Sequence, residues 1–162
     1  MEDESQRYLS IMIESLRKKS GILDEIIKEN ENQSSILGRT DQQSEDDLRK
    51  SVDVKSDLID KLMELDEGFS TLYAKIETKL NANPGGYAPE ISTMQDLIRE
   101  VTDKSVKIET QESRNKSMAS VYFSGALKRV NEKRATRNAA DIYRKNMKKI
   151  SYVDPQFMDK SK

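Results

Sequence analysis

The chain has 162 residues, of which 35% are apolar, 35% charged and only 6% aromatic, and its formal net charge is −1. This composition is too polar for a globule with a thick core and suits long helices that each bury one narrow stripe. With no Cys and no His, the sequence excludes disulfides, Cys- or His-based metal sites and Cys/His nucleophilic chemistry.

No apolar run approaches membrane-spanning length, and the start Met1-Glu2-Asp3-Glu4 is acidic, unlike a secretory signal. The expectation is a cytosolic (cytoplasmic) protein without membrane insertion. The charge is unevenly spread. Residues 113–149 carry 11 Lys/Arg against Glu132 and Asp141, a balance of +9 that leaves −10 for the remainder. Such a split predicts a C-terminal part with a different task from the rest.

Residues 1–5 read as a frayed start, followed by a helix over about 6–37. Its seam positions are Leu9, Met12, Leu16, Lys19, Leu23, Ile26, Asn30, Gln33 and Leu37. Gly21 is a lone helical glycine, and Gly38 is placed to end the helix in a left-handed turn. The polar connection 39–47 offers two N-cap signals, Thr40-x-x-Gln43 and Ser44-x-x-Asp47. A second helix is expected over about 45–80. The stretch Asn81-Ala-Asn-Pro-Gly-Gly-Tyr-Ala-Pro89 then excludes helix, and a third helix over about 90–130 opens at Pro89 or Glu90.

The seams can be paired by number. First- and second-helix positions sum to 85: Leu9 with Ile76, Leu16 with Phe69, Lys19 with Asp66, Leu23 with Leu62, and Leu37 with Leu48. Second- and third-helix positions sum to 170 or 171, including Phe69 with Val101 and Lys55 with Asn115. Lys19 meets Asp66 and Lys55 meets Asn115, polar against polar, an arrangement that lowers stability but fixes register. The predicted fold is all-α, an elongated antiparallel three-helix coiled-coil bundle over residues 1–130. A basic C-terminal arm over 131–162, flexible or partly helical, completes it.

No catalytic constellation is visible. Ser and Thr lack a His base, and Pro84-Gly85-Gly86 lacks the Gly-Lys-Ser/Thr of a phosphate loop. The carboxylates Asp57, Asp60, Glu64 and Glu67 form a solvated helix stripe without calcium-loop geometry. The expectation is a non-enzyme without cofactor or metal. For the basic arm three readings stay open: a protein partner, a solvated tail, or nucleic acid. Apolar residues interleaved with the charges favour the first, and the lack of a reader motif puts nucleic acid last. Side chains that the bundle leaves without partners are the candidate partner-binding residues: Phe123, Leu127, Val130, Ile142, Tyr143, Met147, Ile150 and Phe157.

Three stretches resemble the FlgN-like flagellar export chaperones, particularly their Gram-positive members. They are Leu58-Ile-Asp-Lys-Leu-Met-Glu-Leu-Asp-Glu-Gly-Phe-Ser-Thr-Leu-Tyr73, Ile98-Arg-Glu-Val-Thr-Asp-Lys-Ser-Val-Lys-Ile-Glu-Thr-Gln-Glu-Ser-Arg-Asn115, and the ending Tyr143-x-x-Asn146-Met147 … Asp154-Pro155-Gln-Phe-Met-Asp159. The resemblance implies a chaperone of type III flagellar export. Such a protein binds the C-terminal helical segments of hook-associated (hook–filament junction) proteins, prevents early assembly and delivers them to the flagellar export apparatus. A chaperone of the filament cap, a structural coiled-coil adaptor and a helical stalk with a nucleic-acid-binding tail are the competing expectations.

Overall fold

The computed structural model describes residues 3–129, apart from the side chains at 126, 128 and 129, and residues 141–147. Within them every element is helical: α1 (Glu4–Leu37), α2 (Gln43–Ala82), a 3-10 turn (Pro84–Tyr87), α3 (Ala88–Arg129), and a helical segment over 141–147. The three long helices have 34, 40 and 42 residues. At ~1.5 Å rise per residue they are about 50–60 Å long.

Each helix start and stop has a local cause, and several differ from expectation. α1 begins at Glu4 because Asp3 forms a capping box: Asp3 Oδ1 accepts from Gln6 N at 2.7 Å, and Gln6 Oε1 accepts from Asp3 N at 3.2 Å. The start is therefore capped where fraying was expected. Gly38 does not adopt the left-handed conformation; at φ −85°, ψ −3° it continues the turn, and its N–H donates to the Ser35 carbonyl. Neither predicted N-cap signal is used at α2. Gln42 occupies the cap without a side-chain bond, while the Ser44 hydroxyl bonds the Asp41 carbonyl and the Tyr122 hydroxyl. Arg39 supports this corner instead, with a bidentate pair to Asp41 and a 2.7 Å bond to Asp47.

The Pro/Gly stretch also differs. α2 runs through Ala82, and Pro84–Tyr87 form a 3-10 turn that leads directly into Ala88. Proline at the start of a helical turn loses no hydrogen bond, so it is tolerated here. Asn83 Oδ1 accepts from Gly86 N at 3.2 Å, and a Cβ at Gly86 would lie 2.4 Å from Asn83 Nδ2. The Tyr87 hydroxyl donates to Asp3 Oδ2 at 3.3 Å, tying this turn to the α1 cap.

Three apolar clusters lie along the helices. The first contains Leu9, Met12, Leu16, Phe69, Ile76, Leu80, Met94 and Leu97, with Tyr87 packed against it. The second contains Leu23, Ile26, Leu58, Ile59, Leu62, Val101 and Ile108. The third contains Ile36, Leu37, Leu48, Val52, Ala119, Tyr122 and Tyr143. Each fully buried Leu or Ile contributes ~1.5–3 kcal/mol of transfer free energy.

Cross-helix partners give the directions. Lys19 pairs with Asp66 at 2.7 Å, at the predicted α1–α2 register, and Leu23 shares a cluster with Leu62. Between α1 and α3 the partners rise together: Ser20 with Lys104, Asn30 with Gln111, Ser34 with Met118. Between α2 and α3 they run oppositely, but the register differs from the prediction. Lys55 pairs with Glu112 rather than Asn115, and Tyr122 bonds Ser44. Those numbers sum to 167 and 166, so α3 sits about one turn from the predicted alignment. Phe69 accordingly clusters with Met94 and Leu97, and Val101 with Leu62, rather than the two sharing one cluster as expected.

Candidate partner-binding site

About 40 Å along α2 from the Pro84–Tyr87 turn, at ~1.5 Å per residue, the core becomes polar. Lys55, 1% exposed, is the largest of the fully buried side chains. Its ammonium donates to Gln33 Oε1 at 3.2 Å and pairs with Glu112 Oε1. Burial pushes the Lys55 ammonium below the usual lysine range, with Glu112 pulling it back up.

The neighbouring positions extend this layer. Asn30 Nδ2 donates to Gln111 Oε1 at 3.1 Å, and Asn115 Nδ2 donates to the Asn30 carbonyl at 3.0 Å. Gln111 Nε2 reaches the Ile27 carbonyl and Glu31 Oε1. Its donation holds the Glu31 carboxyl below the usual range. Buried amides and a buried ion pair do not maximise stability; they penalise any alignment that strands them.

The 141–147 segment closes over this layer. Its sequence Asp-Ile-Tyr-Arg-Lys-Asn-Met puts Tyr143 and Asn146 on one helical face, with Ile142 and Met147 at its edges. Tyr143 is 3% exposed and Asn146 5%, whereas Arg144 and Lys145 face solvent. The Lys55 ammonium lies 5.8 Å from the centroid of the Tyr143 ring, a cation–π distance. Asn146 Nδ2 donates to the Val52 carbonyl at 3.0 Å. Burial pushes the Tyr143 phenol well above its usual range, with the Glu112 charge adding to the effect.

The predicted site residues thus fall into three groups. Tyr143 belongs to the third apolar cluster, and Phe123, Ile142 and Met147 pack against that cluster. The premise that these four lack partners is therefore corrected: Tyr143 is buried, while Phe123 of α3 and Ile142 and Met147 of the segment are partly buried against that cluster. Phe123 also meets Tyr122 edge to face, at 5.2 Å between ring centroids. Leu127 is 44% exposed and remains on the surface. Val130, Ile150 and Phe157 lie outside the described residues. Asn146, Val52 and the Lys55–Glu112 pair complete the site without having been singled out for it.

Five buried polar atoms at this level have no hydrogen-bond partner among the described residues: Asn30 Oδ1, Gln33 Nε2, Glu112 Oε2, Tyr143 OH and Asn146 Oδ1. Unmet buried polar groups cost ~1–3 kcal/mol each, which marks this level as the least optimised part of the packing. Among the described residues no group of three His, Cys, Asp or Glu is arranged to hold a metal, and no helix is long and apolar enough to cross a membrane. No family model, curated protein or solved structure matches the chain.

Proposed function

We propose that this chain is a cytosolic flagellar type III export chaperone of the FlgN-like kind. It binds the C-terminal helical segments of hook-associated proteins, keeps them from assembling early and presents them to the flagellar export apparatus. In this reading residues 1–130 form an elongated antiparallel three-helix coiled-coil bundle and residues 131–162 a basic arm. The resemblance of residues 58–73, 98–115 and 143–159 to that family supports the reading. The opposite running of the α1–α2 and α2–α3 partners, Lys19 with Asp66 and Lys55 with Glu112, is what such a bundle requires.

One observation carries the reading furthest: the 141–147 segment, a short amphipathic helix, is seated against α2 through Tyr143 and Asn146. A surface that holds one such helix has the shape and chemistry to hold the helical terminus of another chain. Leu127, exposed on the last turn of α3, adds apolar area for a partner. Covering an assembly surface in this way requires no nucleotide; binding alone shifts the cargo toward its unassembled state by mass action.

Co-purification with C-terminal fragments of hook-associated proteins tests this. The expected result is a one-to-one complex, weakened by Leu127→Asp, a surface change that leaves the helices folded. Retention of a filament cap protein instead would reassign the chain to the cap chaperones. Binding of neither would leave a structural adaptor.

A further inference from the structure

The contacts that seat the 141–147 segment obey a register of their own. Asn146 meets Val52 and Tyr143 meets Lys55, and both pairs of numbers sum to 198. The segment therefore lies antiparallel to α2, with one three-residue step on the segment matched to one three-residue step on α2. Residues three apart on a helix face are near neighbours, so both contacts form together without distortion.

These contacts are selective. The ring over the Lys55 ammonium requires an aromatic side chain, because an aliphatic one offers the cation no negative face. The Val52 carbonyl, inside α2, has a second lone pair beyond the one used in the helix ladder, and Asn146 Nδ2 donates to it at 3.0 Å. Arg144 and Lys145 point to solvent and take no part, so the basic charge of the segment is irrelevant to this recognition.

The seat is also incompletely satisfied on both sides. On the segment, Tyr143 OH and Asn146 Oδ1 are buried without a partner among the described residues; beneath it, so are Gln33 Nε2 and Glu112 Oε2. The segment regains hydration for its two orphaned atoms when it leaves, which favours exchange over permanent packing. An incoming helix that also brought a donor to Glu112 Oε2 or an acceptor to Gln33 Nε2 would hold the seat better than the resident does.

We infer that the surface over Val52 and Lys55 recognises an aromatic residue followed three positions later by an amide on one face of a helix. Tyr143 and Asn146 keep that seat filled until a partner helix carrying the same pair displaces them. The inference rests on the reading of this chain as a binder of helical segments, and it specifies which segments: amphipathic helices with the aromatic-x-x-amide pair, lying antiparallel to α2.

The test uses the full chain and a helix-stapled, dye-labelled peptide with the sequence of residues 139–150. Fluorescence anisotropy compares wild type with the Tyr143→Ala/Asn146→Ala variant, whose seat is emptied. The variant should bind the peptide at least tenfold more tightly than wild type. Peptides in which the tyrosine or the asparagine is replaced by alanine should lose that advantage. Equal binding by variant and wild type, or indifference to the peptide changes, would overturn the inference.

Amine-reactive labelling of Lys55, read by mass spectrometry, gives a second measure that does not depend on affinity. Lys55 should be protected in wild type, labelled in the variant, and protected again when the peptide is added. Labelling that the peptide does not reduce would refute the inference even if anisotropy rose. Because the probe is the chain's own sequence, its failure leaves the chaperone reading standing. A full peptide response without any binding of hook-associated fragments removes the chaperone reading alone.

Discussion

Lys55→Met, which leaves its partner carboxylate behind, is the sharpest perturbation the structure offers. Lys55 and Glu112 have side chains 1% and 7% exposed, and Glu112 Oε2 already has no partner among the described residues. Removing the ammonium strands a charge in the core, and breaking a buried pair from one side costs ~3–5 kcal/mol. With a urea m-value of about 2 kcal/mol/M for a chain of this size, the denaturation midpoint at neutral pH should fall by about 2 M. Lys55→Met combined with Glu112→Leu should recover most of this loss, since an apolar pair of similar volume commonly matches a buried ion pair in stability. The double-mutant cycle then yields a coupling of several kcal/mol, readable from four urea curves followed by circular dichroism. A single variant costing less than about 1 kcal/mol, with additive effects in the cycle, would refute the claim that this pair pins α3 to α2.

Three further expectations concern other parts of the molecule. A Cβ built at Gly21 or Gly68 meets nothing within 4 Å, and neither residue has a positive φ. Alanine at each should raise thermal stability by ~0.5–1 kcal/mol, and a lowered melting temperature would show that these positions are not open. Burial raises the Asp66 carboxyl above the usual aspartate range, against the pull of Lys19. A raised folded pKa gives stability that is complete below the unfolded value and lost as pH rises through the folded one. Wild type should therefore gain on Asp66→Asn as pH falls through that window; urea midpoints moving the other way would contradict this. In a spectrophotometric titration, Tyr143→Phe should remove a phenol that ionises well above the usual tyrosine range; loss of an ordinary one would mean the 141–147 segment is not seated.

Much of the bundle is written in the spacing of its side chains. The α1–α2 alignment follows from where Lys19 and Asp66 interrupt the apolar stripes of the two helices, since only one register brings them together. The α3 alignment does not follow in the same way. A heptad stripe moved by one turn still presents apolar side chains to apolar side chains, so pairing arithmetic leaves a one-turn ambiguity. What distinguishes the alternatives is the chemistry of a few residues: Lys55 reaches Glu112, and Tyr122 reaches Ser44. The helix ends were hidden for a related reason. Asp3 and Gln6 cap α1 through a box that uses Asp and Gln, and a 3-10 turn absorbs Pro84 and two glycines that suggest an open loop.

The candidate site was visible as a list of apolar residues near the C-terminus, but its arrangement was not. Ile142, Tyr143 and Met147 look unpartnered when the three long helices are considered alone. Their destination depends on a contact between residues 94 positions apart, Val52 and Asn146, for which helical periodicity carries no signal. Lys55 likewise reads as a polar interruption of a seam, and its role as a platform for Tyr143 emerges only in three dimensions.

Whether the chain holds helical termini of hook-associated proteins is decided by calorimetric titration of the full chain with one such C-terminal fragment. The expected result is a saturable one-to-one complex whose affinity falls when Leu127 is replaced by Asp. No heat of binding with any hook-associated fragment would contradict the chaperone reading; an affinity indifferent to that substitution would remove Leu127 from the binding surface.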